Sequence, residues 1–177
     1  MAHIPSILLF LLFSLPPYLS TARVIINDDY SIFEVYTICK QTTDFDFCSQ
    51  ALNSDPRTPT ADLVTFSEIS LDLASRNATD TSKYISQLLS KATDPVIKEH
   101  LSVCSQAYKS AIEEIGEAYK LLQSKSYEAL SKEAVAVRAK PVVCENSFKG
   151  TQSPLTSKNE NLERLAVIVG VIADLLG

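Results

Sequence analysis

Between Ile97 and Phe148, apolar residues recur at alternating intervals of four and three positions, with one interruption at residues 124–126. Intervals of three and four place side chains on one face of an α-helix. The first run comprises Ile97, Leu101, Cys104, Tyr108, Ala111, Ile115, Ala118 and Leu122. The second run comprises Tyr127, Leu130, Ala134, Val137, Pro141, Cys144 and Phe148. Because the connection is so short, the two runs predict an antiparallel pair of helices packed along their apolar faces.

Two cysteines, Cys104 and Cys144, occupy these apolar faces. They lie at similar distances before and after the turn, so their heights along an antiparallel pair differ by only about 3 Å at 1.5 Å per residue. A disulfide between them therefore fits the geometry. The alternative is a pair of buried free thiols, which are common in cytosolic proteins.

The N-terminal residues indicate a secreted protein. An apolar run from Ile7 to Leu15 is followed by Pro16-Pro17 and by the small residues Ser20-Thr21-Ala22, which predicts a signal peptide of residues 1–22 cleaved after Ala22. The run is too short to span a bilayer, so we expect no membrane anchor. An extracellular location favours disulfides over free thiols.

The four cysteines permit three pairings. Cys39 and Cys48 enclose the polar segment Gln41–Asp44 between two short apolar patterns. This arrangement predicts a small helical hairpin closed by its own disulfide, which leaves Cys104 to pair with Cys144.

Four long amphipathic patterns follow this hairpin: about residues 61–92, the two central runs, and a last one with Leu162, Leu165, Val169, Ile172 and Leu176. We therefore predict an all-α fold, an up-down-up-down four-helix bundle preceded by a short disulfide-closed N-terminal α-hairpin. The mature region, residues 23–177, is expected to form one domain, with the hairpin at about 28–55 and the bundle at about 58–176.

Several residues suggest where these helices begin, end or break. Thr58-Pro59 and Asp94-Pro95 each fit an N-cap followed by a first helical residue. Ser157–Glu160 has the sequence of a capping box at the start of the last helix. Gly150 suits a left-handed helix end, and Pro141 predicts a kink or a short break near Lys140.

The sequence carries little that could support catalysis. The mature region has one histidine, His100, which is expected on the surface, and no metal-ligand spacing of Cys or His. A net charge of −5 without a basic patch argues against nucleic acid as a partner. We expect a binding protein that is not an enzyme and needs no cofactor or metal. Asn77-Ala78-Thr79 predicts N-glycosylation at Asn77.

Four segments in register with these helices resemble the plant invertase and pectin methylesterase inhibitor family. They are Ile38-Cys39-Lys40, Phe47-Cys48, Val143–Phe148 and Ser153–Thr156. The resemblance extends over the whole mature region, and Asp55-Pro56-Arg57, Thr60–Leu63 and Ser124–Tyr127 are similar to pollen members of the family, which include an allergen.

The resemblance implies a stoichiometric protein inhibitor in the apoplast or cell wall, with the vacuole as an alternative location. Its target would be pectin methylesterase or acid invertase (β-fructofuranosidase), blocked by covering the substrate cleft. It also implies disulfides joining the first cysteine to the second and the third to the fourth.

For the target-binding residues, the resemblance points to the turn between the central helices and to faces of the later helices. Invertase inhibitors of the family carry Pro-Lys-Phe at this turn, whereas this chain has Lys125-Ser126-Tyr127, which slightly favours pectin methylesterase. The candidate target-binding residues are Glu113, Glu117, Lys120, Ser124, Lys125, Ser126, Tyr127, Lys132 and Glu133. The structural alternative is that Tyr127 packs at the helix start and that the charged residues are simply solvated.

Two other functions are consistent with a secreted, disulfide-tied bundle. One is a binder of small apolar ligands, which requires a sizeable cavity between the helices. The other is a family member that has lost inhibition because Pro141 distorts the helix beside the contact surface.

Overall fold

A computed structural model describes residues 31–177, and these residues are helical apart from turns and connections. The helices are α1 (31–39), α2 (Phe45–Asn53), α3 (Leu63–Lys91), α4 (Pro95–Gln123), α5 (Tyr127–Ser147) and α6 (Thr156–Leu176), with a 3₁₀ turn at Thr58–Thr60. The predicted signal peptide, and the first residues of the predicted hairpin, lie outside the described residues.

Helices α3 to α6 form the predicted four-helix bundle. Helix α4 packs between α3 and α5, and α6 packs between the same two helices on the other side, so α3 and α5 lie on opposite corners. The hairpin helix α2 packs on α3 and α6. The hairpin therefore lies away from α5.

The apolar spacing that predicted the central helices corresponds to the bundle core. Leu101, Tyr108 and Ile115 of α4 are buried, as are Leu130 and Val137 of α5. Burial of a Leu or Ile side chain contributes about 1.5–3 kcal/mol each. The matched spacing therefore holds α4 and α5 together over most of their length.

Both predicted disulfides are present. Cys39–Cys48 joins the C-terminal end of α1 to α2, and Cys104–Cys144 joins α4 to α5. All four cysteines have no exposed surface. The second disulfide therefore lies within the bundle core.

The start of α3 differs from the prediction. Thr58-Pro59 belongs to the separate 3₁₀ turn, and α3 begins at Leu63, where the Asp62 side chain accepts a hydrogen bond from the Thr65 backbone N–H at 2.7 Å. The Thr58 hydroxyl donates instead to the Leu52 carbonyl at the end of α2. Thr58 is buried, and its hydroxyl thus caps the C-terminal end of α2 rather than the start of α3.

The other predicted helix ends are partly confirmed. Asp94 caps α4 by accepting from the Val96 N–H at 2.8 Å, and Gly150 has a φ of 91°. The predicted capping box is wrong, since α6 already begins at Thr156 without a side-chain cap and Ser157 lies inside its first turn. Asn159 is buried instead and accepts a hydrogen bond from the Tyr108 hydroxyl at 2.8 Å.

Pro141 predicted a kink or a short break near Lys140. The break is absent, because helix α5 continues through Pro141 from Tyr127 to Ser147. Pro141 is buried and lies one turn before Cys144, whose disulfide fixes α5 to α4. A proline removes one backbone hydrogen bond. Packing against both α4 and α6 holds the helix together across that gap.

Candidate functional site

The turn between α4 and α5 has a tightly defined backbone. The Ser126 N–H donates to the Leu121 carbonyl at 2.9 Å and the Lys125 N–H donates to the Leu122 carbonyl at 3.0 Å. These two bonds form a Schellman motif, which places Lys125 in the left-handed region at φ 56°. Glycine is the favoured residue at such a position, so the lysine is held there at a conformational cost.

Tyr127 follows this turn as the first residue of α5. It is half-buried against the core. Its Cβ lies close to Gly177, since a methyl group added to that glycine would be 3.5 Å away, an ordinary van der Waals distance. The side chain thus packs at one end of the bundle beside the C-terminus. The fully solvent-facing residues of the turn are Ser124 and Lys125.

Several of the charged candidates are engaged in ion pairs along their own helices. Lys120 contacts Glu117 at 2.8 Å, and Lys132 contacts Glu128 at 2.7 Å. The hydrogen bond to Glu117 raises the pKa of Lys120. Glu113 is exposed on the same helix as Glu117. Exposed pairs of this kind add little stability, so they are free to rearrange on binding.

Glu133 of α5 lies near Glu114 and Glu117 of α4, and we call these three residues the acidic groove. Partial burial raises the pKa of Glu133, and repulsion from Glu114 and Glu117 raises it further. Lys140 opposes this effect and contacts Glu114 at 2.7 Å. The structure thus brings the predicted Glu117 and Glu133 together across the two helices.

Sequence reasoning missed Glu114 as a member of this groove and Lys140 as the ion-pair partner of Glu114. Each directly neighbours a position of the apolar spacing, Ile115 and Pro141 respectively. A charged residue next to a buried position tends to lie at the border between two packed helices. A charged residue beside the apolar spacing could therefore have indicated a helix border, but it does not identify the residue that it faces on the other helix.

A second polar cluster joins the hairpin connection to the bundle. The Arg57 guanidinium donates to Asp55 at 2.8 Å and to Asp72 of α3 at 2.6 Å, and the Tyr119 hydroxyl of α4 also donates to Asp72. Side-chain and backbone hydrogen bonds from Arg57 lower the pKa of Asp55 to about 2. The cluster holds the segment between α2 and α3 in place, and the Asp55 carboxylate stays ionised well below neutral pH.

Two further predicted positions lie away from the turn. Asn77 is half-buried in the middle of α3, with its Oδ1 shielded from solvent. His100 is also half-buried, and its ring packs against Phe148 with 5.0 Å between the ring centres. His100 is thus less exposed than predicted.

Two pockets in the described residues lie outside the bundle interior. The larger, about 370 Å³, is an open groove beside the segment from Asn53 to Pro59, and the smaller lies between the hairpin turn and α6. Within residues 31–177, no helix combines the length and the apolar character needed to cross a bilayer.

Comparison with known proteins agrees with this architecture. The family model for plant invertase/pectin methylesterase inhibitors matches residues 34–171. A pectinesterase inhibitor from Actinidia deliciosa is 37% identical over 97% of this chain and 91% of the relative. The Arabidopsis thaliana protein named cell wall / vacuolar inhibitor of fructosidase 2 is 34% identical over 80% of this chain and 82% of the relative.

A solved structure extends the comparison to the fold. The crystal structure of a mutant form of a pectin methylesterase inhibitor from Arabidopsis matches with a TM-score of 0.75 and 25% identity, over 81% of this chain and 97% of that one. On the strength of the matched residues, the two disulfides and the shared fold, the chain belongs to the plant invertase/pectin methylesterase inhibitor family.

Proposed function

We propose that this protein is a secreted stoichiometric inhibitor that covers the substrate cleft of a plant cell-wall enzyme, with pectin methylesterase as the favoured target. The observation that carries this proposal is the 37% identity to a pectinesterase inhibitor over almost the whole length of both chains. Inhibition of this kind needs a rigid complementary surface and no catalytic group, cofactor or metal.

The proposed contact surface consists of the α4–α5 turn and the adjoining outer faces of these two helices. It contains the exposed Lys125, the acidic groove and the surface ion pairs of Lys120 and Lys132. A net charge of −5 favours encounter with a basic enzyme. Charge attraction mainly increases the association rate, whereas buried contacts determine how long the complex lasts.

Acid invertase is the second candidate target. It is favoured by the 34% identity to an Arabidopsis inhibitor of fructosidase. The turn weighs against it, because Lys125-Ser126-Tyr127 lacks the Pro-Lys-Phe segment of invertase inhibitors and Tyr127 packs against the core.

The remaining alternatives have less support. A small-ligand binder requires space between the bundle helices, whereas the larger pocket is an open surface groove beside the hairpin connection. Loss of inhibition through a distorted helix has no support in α5, which is continuous through Pro141.

We place the protein in the apoplast or cell wall, with the vacuole as a second location, on the basis of the predicted signal peptide. Glycosylation of Asn77 belongs to the same proposal. A mass decrease after treatment of the plant-secreted protein with a peptide N-glycosidase, absent in Asn77→Gln, is the expected result.

Titration of each enzyme tests the proposed function. Purified protein is added at mildly acidic pH to a fixed concentration of pectin methylesterase or acid invertase, well above the expected Kd. Residual methylesterase activity is expected to fall linearly and to reach its minimum at one equivalent. Invertase loss with intact methylesterase would reverse the target assignment. Full activity of both enzymes at a several-fold excess would refute the proposal.

A further inference from the structure

The outward face of α5 has an unusual composition. Helix α5 packs on α4 and α6, and neither α3 nor the hairpin helix α2 covers its remaining face. Val135, Ala139 and Val142 follow one another along that face at intervals of four and three, and Val143 lies beside them. Val135 is 65% exposed, Val143 49% and Val142 38%. We call these four residues the valine row.

Neither solvation nor helix formation explains the valine row. Solvent-facing positions of a bundle helix usually carry charged or polar residues. Valine is also a poorer helix former than alanine or lysine, because its branched side chain is restricted in a helix. A single exposed valine is ordinary, whereas a contiguous exposed row rimmed by charges is typical of a protein contact surface.

The valine row adjoins the proposed contact surface. Val135 lies directly after the acidic-groove segment of α5, two residues beyond Glu133 and one turn beyond Lys132. Val143 lies one turn beyond Lys140, which contacts Glu114 of α4. Apolar residues and the acidic groove therefore occupy the same side of the molecule, opposite the corner formed by α3.

The charges beside the row limit what can cover it. The basic residues near the row are paired with acidic ones, and the pairs are Lys120–Glu117, Lys132–Glu128, Arg138–Glu163 and Lys140–Glu114. The remaining charges, Glu113 and Glu133, are both acidic. Two copies of this face would bring like charges together, which disfavours self-association. A partner with a basic surface around an apolar patch matches both features.

We propose that the valine row is the apolar centre of the contact with the target enzyme, docking on an apolar patch that is flanked by basic residues at the rim of its substrate cleft. This inference rests on the proposed function and adds the residues that hold the complex together. The two parts of the surface have separate roles. The acidic groove speeds association, and the valine row slows dissociation.

Matched valine substitutions test the proposal. Val135→Ser and Val142→Ser remove apolar contact from the row, and Val96→Ser and Val64→Ser are the controls, because those valines are 53% and 37% exposed on other parts of the bundle. Affinity is measured by biolayer interferometry on whichever enzyme the wild-type protein inhibits. Each row variant is expected to raise the Kd roughly 5- to 10-fold through faster dissociation, and the controls to change it less than about twofold.

Two further variants separate apolar contact from charge and from folding. Val135→Ile is expected to keep the Kd within about twofold, since it preserves the apolar surface. Glu117→Gln is expected to slow association and weaken its dependence on salt, with little change in dissociation. Thermal unfolding of all variants is expected to match the wild type, because these side chains are exposed.

The outcomes are distinct. If the wild type inhibits an enzyme and both row variants bind it as tightly as the controls do, this inference is wrong while the proposed function stands. If the wild type binds neither enzyme, both are wrong. A concentration-dependent dimer in sedimentation equilibrium that Val135→Glu abolishes would instead assign the row to self-association and overturn the inference.

Discussion

Lys125 is a non-glycine residue in the left-handed backbone region, at φ 56°. Its N–H and that of Ser126 close the C-terminal end of α4. Replacement by glycine removes the steric cost of this conformation but adds freedom to the unfolded chain. Lys125→Gly is therefore expected to raise the free energy of unfolding by about 0.5–1 kcal/mol, measured by urea denaturation.

The control for this substitution is Gln123→Gly, at the last helical residue of α4, two positions earlier. Glycine inside a helix lowers stability by up to about 1 kcal/mol. Destabilisation by Lys125→Gly of the same size as by the control would contradict the left-handed conformation of Lys125.

Glu133 is expected to make stability depend on pH. Burial, Glu114 and Glu117 raise its pKa above the ordinary value of 4.5, so the folded protein favours the protonated carboxyl. Its stabilising contribution is present below the ordinary pKa and is lost as the pH rises through the raised pKa. Glu133→Gln is therefore expected to raise the Tm at pH 7 and to leave it unchanged near pH 4.

Thermal unfolding followed by circular dichroism at the two pH values measures this difference. The exposed Glu113→Gln serves as the matched control on the neighbouring helix. An equal gain in Tm from Glu133→Gln at both pH values would show that the carboxyl is not responsible.

The burial of individual residues could be predicted from the sequence where it follows the helix period, as it does for Leu101, Tyr108 and Leu130. Polar contacts between helices could not be predicted in this way. Asn159 was predicted as part of a capping box, but its amide donates to Glu145 at 2.6 Å and accepts from Tyr108. Such contacts depend on the rotation of three helices about their axes, which a single sequence does not specify.

At the level of elements, helix α5 is notable for including a proline. Pro141 cannot donate a backbone hydrogen bond to Val137, yet the helix is uninterrupted. Pro141→Ala restores that bond, and the penalty for a proline in a helix interior is up to about 3 kcal/mol. The substitution also removes part of a buried ring and gives the unfolded chain more conformational freedom, and both effects lower stability. The net expected result is a stability gain of about 1 kcal/mol.

Guanidinium denaturation measures this gain, and Ala139→Pro in the same helix is the control. Ala139 is exposed, so its replacement loses a hydrogen bond with no compensating burial and is expected to cost about 3 kcal/mol. A Pro141→Ala protein less stable than the wild type would show that ring packing outweighs the missing hydrogen bond.

Helix existence was easier to predict than helix ends. Long, regular spacing was sufficient to predict α4, α5 and α6. The spacing of α3 is ambiguous around Asn77, and a single helix was expected there because no Pro or Gly interrupts it. The start of α3 was misplaced because Thr58 and Asp62 both have capping side chains, and the choice depends on Thr58 reaching Leu52 of α2. That contact is between different elements, so local sequence does not reveal it.

For the molecule as a whole, the two disulfides stabilise different regions. In the chain-entropy model, the 40-residue separation of Cys104–Cys144 contributes about 4 kcal/mol and the 9-residue separation of Cys39–Cys48 about 3 kcal/mol. Cys104→Ala/Cys144→Ala is expected to lower the unfolding free energy of the bundle by about 4 kcal/mol. Cys39→Ala/Cys48→Ala is expected to loosen mainly the hairpin.

Hydrogen exchange read by mass spectrometry distinguishes these effects. Loss of the first disulfide is expected to remove protection from residues 31–53 while α4 and α5 stay protected, because few contacts join α2 to the bundle. Uniform loss of protection in both double variants would mean that the hairpin and the bundle unfold as one unit.

Fold and target were not equally predictable. The cysteine positions and helix period were sufficient for the architecture, whereas the choice between methylesterase and invertase depends on a few surface residues on a shared fold. The valine row also escaped prediction. Because α5 has apolar residues on several faces, the sequence does not show which of its valines the neighbouring helices leave uncovered.

The order of the disulfides along the chain bears on how the protein is made. The loop closed by Cys39–Cys48 ends before the loop closed by Cys104–Cys144 begins. During synthesis each thiol thus meets its correct partner as soon as that partner emerges, with no competing thiol left from the first loop. Oxidation during synthesis is therefore expected to give the native pairing directly, and the yield of correctly paired protein is expected to depend little on disulfide isomerases.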